Sequence, residues 1–536
     1  MLRWIFVLFL VLGLPAQELK VQVLGTTDLH GRVMPQDTYR LRPETQGWAL
    51  LAPLIRERLA TNPNTVLVDC GDALQGEPLN YVRTRLHPEL PEPSLAAMKL
   101  LGYAAMTLGN HEFDWGLTAL RSAEKEAGFP FLSANTVHAK DGKGAFPAFT
   151  LVERAGVRVA ILGLTTPAVP RMAEPESIDG LRFLDPVESA RTWVPRLREQ
   201  ERADLVVVAI HSGLGGLPGK PGDANVGLRL VDQVPGIDLL LAGHTHRAVE
   251  SVHRGVPILE AQCFGRALAQ AEFSLARKDG RWKVLAVKAG LLRPDPATVP
   301  DPAILDATAR LRQATDKYLD TFATTLADDL DGRWCRIEDG PVMQLQHQVQ
   351  REAVGAQLSA ASVPPPWYFV PKGPASIRQF WALMPYENRL ARIKITGAQL
   401  RAYLEHAAAS YGFSHEPEFL DPEVAFYDVD TVGGCTYALD LSRPRGQRVT
   451  QLRHQGRPVT PEQSFTLALT TYRLAGGGGY MDAIGFTGRP EVVTQGSLRN
   501  LLFQHILGRP ALTLPQDGEW RTIPAIDRER LLGRSR

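Results

Sequence analysis

Five short segments in the first half of the chain carry side chains that can ligate metal ions: TTDLHG, DCGDALQG, LGNHEFDWG, AIHSG and LAGHTH. Each of them follows a short apolar run. Imidazole nitrogens mixed with carboxylate and amide oxygens form a donor set that suits Zn, Mn and similar divalent ions. The sequence therefore predicts a site for two metal ions, whose candidate ligands are Asp28, His30, Asp72, Asn110, His211, His244 and His246.

The spacing of these ligands predicts how they divide between the ions. Two divalent ions about 3.5 to 4 Å apart need a bridging carboxylate, and Asp72 is the candidate bridge. Asp28 and His30 are separated by one residue, so both reach one ion if the backbone turns between them. The same separation in GHTH lets His244 and His246 serve one metal each.

A spare histidine beside the ligands predicts catalysis. Asn110 offers a carbonyl oxygen to the second ion, and His211 completes that coordination sphere. His111 is adjacent to Asn110 but is not needed as a ligand. An imidazole in that place can stabilise charge on a transferring phosphoryl group or protonate the leaving oxygen. Asp114 can orient the His111 ring, and its alternative role is that of a helix-start residue.

The apolar runs before these segments predict an α/β fold. The runs VQVLGTT, TVLVDCGD, RVAILGLTT, DLVVVAIHSG and IDLLLAGHTH alternate with helix-compatible stretches such as Trp48–Leu59. Apolar runs without alternation predict strands covered on both faces, as in a layered sandwich with helices outside. Ligand sites in such sheets collect beyond the strand ends, where all five segments begin. Five of the thirteen histidines fall there, a concentration that favours an enzyme over chance.

A proline-rich break predicts two domains. The segment RPDPATVPDP, within residues 291–302, continues neither a sheet interior nor a helix, so we place the boundary there. The first domain then covers residues 20–291. A linker helix over Ala303–Leu330, with Tyr318 and Phe322 among its apolar positions, can act as a hinge. The second domain covers residues 331–536, in which TYALDLSR and SFTLALTTYR predict strands and RIKITGAQLRAYLEHAA predicts a strand, a turn and a helix.

Residues 1–16 have the pattern of a secretory signal peptide. Arg3 precedes the apolar run Trp4–Leu14, and Pro15 and Ala16 follow it. The run is shorter than the roughly 20 residues that span a bilayer, so we expect cleavage and no membrane anchor afterwards. The mature chain is expected in the periplasm or outside the cell.

The composition excludes a charged polymer as the partner. The chain has 536 residues, 44% of them hydrophobic, and a formal net charge of +1, which leaves no basic footprint for a nucleic acid polymer or an anionic membrane. We expect a monomer that acts on a small molecule. Cys70 and Cys263 lie in apolar runs and are predicted to be buried thiols, whereas the pairing of Cys335 with Cys435 stays open.

The metal segments and the two-domain arrangement resemble the calcineurin-like metallophosphoesterases, and more closely the exported two-domain 5'-nucleotidase group within them. The resemblance implies a four-layer α/β/β/α metal-binding sandwich, joined by a helix to a smaller α+β domain that binds the nucleoside. It implies two divalent ions, among Zn, Mn, Co and Fe, and a catalytic dyad of His111 and Asp114. It also implies that one ion is held by Asp28, His30, Asp72 and His246 and the other by Asp72, Asn110, His211 and His244.

Within that group the C-terminal half is similar to the bacterial 2',3'-cyclic-nucleotide 2'-phosphodiesterase/3'-nucleotidases. The similarity lies in MPYENRLARIKITGAQLRAYLE, FYDVDTVGGCTYALDLSRPRGQRV and TTYRLAGGGGYM. It implies that Tyr427 and Tyr472 sandwich the nucleobase. Flat rings stack on any base at about 1 to 3 kcal/mol each, so such a pair gives little base selectivity. The alternative is that both tyrosines are core residues of β-strands.

One departure from the wider family bears on the substrate. Many 5'-nucleotidases carry a Gly-Gly-Ile-Arg element, but the corresponding stretch WYFVPKGPASIRQFWALMPYEN lacks the glycine pair. This places Arg378 at a helix start and leaves Lys372 as a point charge that cannot replace a bidentate arginine. The departure favours hydrolysis of 2',3'-cyclic nucleotides and 3'-nucleotides over a 5'-nucleotidase or UDP-sugar hydrolase. A thiohydrolase and a nucleotide-binding protein without turnover are the remaining alternatives; the tyrosine pair opposes the first and His111 the second.

Overall fold

A computed structural model of the protein describes residues 18–219, 222–413, 420–421, 424–507, 509–514 and 518–528. The predicted signal peptide, residues 1–16, lies outside these ranges. Over the ranges described, no helix combines the length and the apolar character needed to cross a bilayer.

The N-terminal domain alternates strands and helices, as the apolar runs predict. Its strands are β1 Leu19–Thr26, β2 Thr65–Asp69, β3 Ala105–Thr107, β4 Phe131–Leu132, β5 Thr136–His138, β6 Phe149–Arg154, β7 Val157–Thr165, β8 Leu181–Phe183, β9 Leu205–His211, β10 Leu239–Ala242, β11 Ala248–His253, β12 Val256–Ala261, β13 Leu268–Lys278 and β14 Arg281–Leu292. Its helices are α1 Trp48–Thr61, α2 Pro78–Tyr81, α3 Pro93–Leu101, α4 Leu117–Ala127, α5 Pro186–Glu199 and α6 Gly227–Gln233.

Two sheets form the centre of this domain. The first has the strand order β14-β13-β1-β2-β3-β4, and the second has the order β11-β12-β10-β9-β7-β6. Apolar side chains of both sheets share one buried core, to which β2 contributes Val68 and β9 contributes Val207. The outer face of the first sheet packs against α1, α3 and α4, and that of the second packs against α5 and α6. These layers confirm the predicted α/β/β/α sandwich.

The strand order brings the candidate ligands to one edge of the sandwich. In the first sheet β1, β2 and β3 are parallel, and in the second β7, β9 and β10 are parallel. The carboxyl ends of parallel strands meet at the same sheet edge, and the ligand-bearing segments follow these ends. The two sheets are joined near that edge, where the Thr107 hydroxyl donates a 3.2 Å hydrogen bond to the Ala209 carbonyl.

The connecting helix α7, Pro302–Leu319, is shorter than the helix predicted over Ala303–Leu330. The Asp301 carboxylate caps its first turn by accepting from two backbone N–H groups. The prediction was wrong for the last eleven residues, because the β-branched stretch after Leu319 forms strand β15, Phe322–Leu326, instead. Apolar side chains of α7 belong to the core that covers the first sheet, so this helix is part of the outer layer of the N-terminal domain.

The C-terminal domain is smaller and of mixed α+β type. Its further strands are β16 Leu330–Asp331, β17 Leu358–Ser362, β18 Phe369–Val370, β19 Gly373–Ser376, β20 Arg389–Thr396, β21 Asp430–Gly433, β22 Thr436–Asp440, β23 Val449–His454, β24 Arg457–Pro458, β25 Ser464–Thr470, β26 Val492–Ser497, β27 Ala511–Leu512 and β28 Trp520–Ile523. Its helices are α8 Pro341–Val354, α9 Ile377–Trp381, α10 Gly397–Ala408, α11 Thr471–Leu474, α12 Tyr480–Ala483 and α13 Leu498–Leu507.

The largest C-terminal sheet has the order β21-β17-β25-β20-β26, and β24-β23-β22-β28 form a second one. The segment SFTLALTTYR was predicted to be one strand, but β25 ends at Thr470 and the chain turns into α11, because the Thr470 hydroxyl caps that helix. Cys335 and Cys435, whose pairing the sequence left open, are buried free thiols. The placement of the domain boundary near residues 291–302 stays a prediction.

Candidate metal centre and interdomain cavity

The loops that carry the candidate ligands have an unusual backbone. Asp28, His30, Asp72, His244 and His246 all have a positive φ, between 49° and 78°. Such a conformation costs of order 1 to 3 kcal/mol for a residue other than glycine and persists only where the surroundings impose it. The loops are therefore held in a geometry that local preferences oppose.

Asp28, His30 and His246 form the first cluster that could hold a metal ion. The His246 Nε2 atom lies 3.3 Å from the Asp28 Oδ1 atom and 3.0 Å from the His30 Nε2 atom. The His30 Nδ1–H group donates a 2.7 Å hydrogen bond to the Gln75 carbonyl, which leaves Nε2 as the ligand atom. Burial lowers the pKa of His30 to about 3, so the ring is neutral, as a metal ligand must be.

Asp72, His211 and His244 form the second cluster. The His211 Nε2 atom lies 3.0 Å from the Asp72 Oδ2 atom and 4.0 Å from the Asp28 Oδ1 atom, so the two clusters are adjacent. The His211 Nδ1–H group donates a 2.8 Å hydrogen bond to the Cys70 carbonyl. Burial lowers the pKa of His211, but the carboxylates of Asp72 and Asp28 outweigh it and raise that pKa to about 10. The carboxylates thus favour a positive charge at this nitrogen.

Orphaned polar atoms test whether these residues fit metal ions. Asp28 Oδ1, Asn110 Oδ1 and His211 Nε2 are among the buried side-chain atoms of the described residues that have no hydrogen-bond partner. Burying a polar atom without a partner costs free energy, so such atoms are rare unless something satisfies them. All three belong to the predicted ligand set. Divalent cations would satisfy them, and we conclude that the residues fit a dimetal centre.

Glu112 joins the loop that carries Asp72 to the segment that carries Asn110. Its carboxylate accepts 2.7 Å hydrogen bonds from the backbone N–H groups of Asp72 and Gly109, and two more from Ala73 and Leu74 at 2.8 and 3.1 Å. Burial and the nearby Asp72 charge raise the pKa of Glu112 to about 7. Sequence reasoning missed this residue, although it lies within the segment LGNHEFDWG.

His111 is positioned as the spare imidazole that the sequence predicts. Its Nδ1–H group donates a 2.7 Å hydrogen bond to the Asp114 Oδ2 atom, and its backbone N–H donates a 2.8 Å bond to the Asp72 Oδ1 atom. These contacts leave the His111 Nε2 atom available to a ligand in the cavity that His111 lines. Burial lowers the pKa of His111, but the charges of Asp114 and Asp72 outweigh it and raise that pKa to about 9.

A tyrosine that the sequence reasoning did not select covers His111. The Tyr386 ring, from the C-terminal domain, stacks on the His111 ring with a centroid distance of 5.8 Å and an interplanar angle of 12°. It also meets the Tyr427 ring edge-on at 6.4 Å. Its position in MPYEN, just before β20, was the available signal.

One cavity between the domains connects the metal clusters with the two predicted base-binding tyrosines. Asp72, Asn110, His111, His244 and His246 line its N-terminal side. Among the residues that line its C-terminal side are Gln346, Ser362, Val363, Leu383, Met384, Tyr386, Tyr427, Thr470 and Tyr472. The structure therefore brings most of the predicted site residues, from both domains, into one space.

Neither tyrosine lies on a β-strand, so the alternative of strand core residues is wrong. Tyr427 lies in the 3₁₀ turn Phe426–Asp428 and is 38% exposed. Tyr472 lies in α11, and one side of its ring is filled by Gly477, where an added Cβ would lie 2.4 Å from the Tyr472 Cζ atom. Both tyrosines line the cavity, Tyr427 from a 3₁₀ turn and Tyr472 from a short helix.

Arg378 lies outside the cavity. Its guanidinium donates to the carboxylates of Asp316 on α7 and of Asp320 just after it, and to the Thr38 carbonyl, with distances of 2.8 to 3.0 Å. It therefore joins the C-terminal domain to α7 and to the N-terminal domain. Lys372 does not line the cavity either, and its backbone N–H donates to Asp329.

Comparison with known proteins agrees with this geometry. Residues 21–248 match the family described as calcineurin-like phosphoesterase, and residues 320–484 match the 5'-nucleotidase, C-terminal domain. The chain combines a calcineurin-like phosphoesterase domain with a 5'-nucleotidase C-terminal domain. This two-domain phosphoesterase is a metal-dependent phosphoric ester hydrolase, as predicted.

Three similar proteins span nearly all of this phosphoesterase. The 2',3'-cyclic-nucleotide 2'-phosphodiesterase/3'-nucleotidase of Yersinia enterocolitica is 29% identical over 86% of this chain and 81% of its own. The trifunctional nucleotide phosphoesterase protein YfkN of Bacillus subtilis is 25% identical over 95% of this chain, which spans only 39% of that longer protein. A crystal structure of a putative 5'-nucleotidase from Staphylococcus aureus shares the fold, with a TM-score of 0.82, 23% identity and coverage of 94% and 99% of the two chains.

Proposed function

We propose that this phosphoesterase hydrolyses 2',3'-cyclic nucleotides and 3'-nucleotides to nucleoside and phosphate. The observation that carries the proposal is the single cavity that places the metal-binding clusters opposite Tyr427 and Tyr472. A nucleotide has a charged phosphate at one end and a flat base at the other. The metal-binding clusters can take the phosphate, and the two tyrosine rings can take the base. The name of the Yersinia relative supports the same substrate class.

The metal ions belong to the phosphate end. Bound there, two divalent ions such as Zn, Mn, Co or Fe would polarise phosphate oxygens and make water nucleophilic near neutral pH. Asp28, His30, Asp72 and His246 would hold one ion, and Asp72, Asn110, His211 and His244 would hold the other, so that Asp72 would serve both.

His111 acts on the substrate directly, and Asp114 acts through His111. The Asp114 carboxylate fixes the proton on the His111 Nδ1 atom and keeps the ring in place. The His111 Nε2 atom then donates a hydrogen bond to a phosphoryl oxygen as negative charge develops on it, or a proton to the leaving sugar oxygen. A cyclic diester opens first, and the resulting 3'-monoester is hydrolysed at the same site.

The two tyrosines hold the nucleoside. A base stacked between Tyr427 and Tyr472 gains about 1 to 3 kcal/mol per ring. Stacking needs only a flat ring, so we expect all common bases to be accepted. The half-buried Tyr386 ring contacts both the His111 ring and the Tyr427 ring, so it links the two ends of the cavity wall.

The charges of the cavity favour a cyclic diester over a monoester as the first substrate. No lysine or arginine occurs among the described residues that line it, and Arg378 is held by Asp316 and Asp320 outside it. A phosphate monoester carries about 1.5 to 2 negative charges at neutral pH, more than a diester, and is the form that arginine forks recognise best. A 5'-nucleotidase remains the second candidate, supported by the match to the 5'-nucleotidase C-terminal domain.

Export and a monomeric state belong to the proposal as well. Residues 1–16 support export, because a charged residue, an apolar run and small residues follow one another there. N-terminal sequencing of the protein from the host's periplasm or medium tests cleavage, and analytical ultracentrifugation tests the monomer.

Phosphate release from 2',3'-cyclic AMP, 3'-AMP and 5'-AMP, with and without a chelator, tests the substrate. We expect chelator-sensitive activity that favours the first two compounds. Activity mainly on 5'-AMP would replace the proposal with the 5'-nucleotidase. Activity on none of them would overturn it.

A further inference from the structure

The residue after Tyr472 is a buried arginine. Arg473 is 2% exposed, and its guanidinium forms a bidentate ion pair with Asp430, with Nε–Oδ2 and Nη2–Oδ1 distances of 3.0 and 2.8 Å. Forked pairing of this kind fixes the orientation of both groups as well as their distance. The start of α11 is therefore anchored to the start of β21.

The same guanidinium also reaches the segment that carries the other tyrosine. Its Nη2–H group donates a 2.6 Å hydrogen bond to the Tyr427 carbonyl, and Nη1–H donates a 3.2 Å bond to the Asp428 carboxylate. One side chain thus joins the 3₁₀ turn that bears Tyr427 to the helix that bears Tyr472. The two tyrosines are 45 positions apart in the sequence, and this is a direct link between their backbones.

The surroundings of the ion pair are fully hydrogen-bonded. Asp430 also accepts from the Tyr403 hydroxyl at 2.6 Å and from the Ser362 hydroxyl at 3.1 Å. The Tyr480 hydroxyl donates a 2.9 Å bond to the Asp428 carbonyl. A buried ion pair is a poor source of stability, because apolar residues of similar volume often stabilise a fold as well or better. Fixing a geometry is the better explanation of a network in which every partner is satisfied.

The glycine run after α11 fits closely around both side chains. An added Cβ at Gly477 would lie 2.4 Å from the Tyr472 ring, and one at Gly478 would lie 2.5 Å from the Arg473 Nη1 atom. Gly477 and Gly478, which the sequence marks only as part of a turn, therefore leave no room for Tyr472 and Arg473 to shift toward this run.

We propose that Arg473 is a positioning residue that sets the separation and tilt of the Tyr427 and Tyr472 rings through its contacts with Asp430 and the Tyr427 carbonyl. It does not touch the base itself. The inference rests on the proposed function, because it has meaning only if the two rings hold a nucleoside. It goes beyond that function by assigning the geometry of the clamp to one ion pair.

The substitution Arg473→Lys tests this proposal. Lysine keeps the charge but cannot bond both Asp430 oxygens and the Tyr427 carbonyl at once. Adenosine binding, measured by titration calorimetry, reports the clamp without any phosphate on the metals. We expect an adenosine affinity about tenfold weaker, within the range that stacking supplies. We expect the kcat/KM for 3'-AMP, divided by that for p-nitrophenyl phosphate, to fall by a similar factor.

Arg448→Lys is the matched control. Arg448 is 1% exposed, lies in the same domain, donates to the Ala408 and Tyr411 carbonyls and does not line the cavity. A general loss of packing would lower the Tm of both variants, but only Arg473→Lys should weaken adenosine binding. Equal adenosine affinity in Arg473→Lys and the unmodified protein overturns the inference. If Arg473→Lys does not fold, Asp430→Asn, which keeps the shape and removes the charge, replaces it with the same criteria.

Tyr472→Ala separates this inference from the proposed function. If Tyr472→Ala binds adenosine as well as the unmodified protein does, the clamp itself is wrong and the proposed function fails with it. If Tyr472→Ala weakens adenosine binding and Arg473→Lys does not, only the positioning role of Arg473 fails.

Discussion

The carboxylate of Glu112 accepts a 2.7 Å hydrogen bond from the backbone N–H of Asp72, the candidate bridging ligand. The carboxylate also accepts hydrogen bonds from the N–H groups of Ala73 and Leu74 on the same loop and of Gly109 next to Asn110. Glu112 can therefore hold the Asp72 loop and the Asn110 loop at the separation that two metal ions need, although it is not a ligand itself.

The substitution Glu112→Gln should lower the affinity for metal. An amide has one acceptor oxygen where the carboxylate has two. Some of the four backbone N–H groups that donate to Glu112 therefore lose their acceptor. Partners that orient metal ligands are worth about 10- to 100-fold in metal affinity or activity. Metal content after dialysis, measured by mass spectrometry, and phosphate release are both expected to fall.

Glu124→Gln is the control for this substitution. Glu124 lies on α4 and pairs with Arg121 at the surface. It should keep its metals and its turnover. Full metal retention in Glu112→Gln would show that backbone contacts alone hold the two loops.

His111→Asn should lower kcat without removing metal. The imidazole is not needed for either coordination sphere, and a positioned acid or base contributes about 100- to 10,000-fold. Asp114→Asn should cost less, because the ring stays near its place but loses the partner that fixes its tautomer. Steady-state kinetics on 3'-AMP, together with metal content, check both changes. A loss of metal equal to the loss of activity would instead assign His111 to the ligands.

The metal site could be predicted from the sequence because each ligand lies in a short segment after a buried parallel strand. The strand order fixes the position of these segments. Strands such as β1, β2 and β9 end at one edge of the sandwich, so the loops that follow them meet there. The types and spacing of Asp28, His30 and His246 were therefore sufficient to select them. Their metal-binding role stays a prediction until a metal is measured.

The parts that could not be predicted depend on contacts between distant segments. The Tyr386 ring reaches His111 from 275 positions further along the chain, and Arg473 meets Asp430 across 43 positions. No local pattern marks such a pair. The end of α7 was misplaced for a related reason: β15 exists because it pairs with β19 and β27, and helical spacing alone does not show that pairing.

Glu174→Gln should loosen the contact between the domains. The Glu174 carboxylate, from the N-terminal domain, accepts hydrogen bonds from the Arg389 guanidinium at 2.7 and 2.9 Å and from the Thr471 hydroxyl. The pair is largely buried, so a neutral amide leaves the arginine with an exposed carboxylate, that of Glu176, as its remaining charged partner. We expect a lower Tm and a broader distribution of interdomain distances in small-angle X-ray scattering.

Glu176→Gln is a control on the same arginine. Glu176 also pairs with Arg389 at 2.7 Å, but its side chain is 70% exposed. Exposed pairs contribute about 0 to 1 kcal/mol, so the Tm should hardly change. If the two substitutions change the Tm equally, the buried Glu174–Arg389 pair contributes no more to the contact between the domains than the exposed Glu176–Arg389 pair does.

Gly477→Ala should weaken nucleoside binding through Tyr472 alone. The backbone of Gly477 is not in the left-handed region, so alanine is tolerated there except for the 2.4 Å contact of its Cβ with the Tyr472 ring. The ring must move toward the cavity, and the KM for 3'-AMP should rise about tenfold while turnover of p-nitrophenyl phosphate changes little. Gly216→Ala, where an added Cβ meets no atom within 4 Å, should leave both unchanged. Both changes act on the Tyr472 ring, so the double variant with Gly477→Ala and Tyr472→Ala should have the same KM for 3'-AMP as Tyr472→Ala alone. If the two effects on KM add, Gly477→Ala acts on something other than the Tyr472 ring.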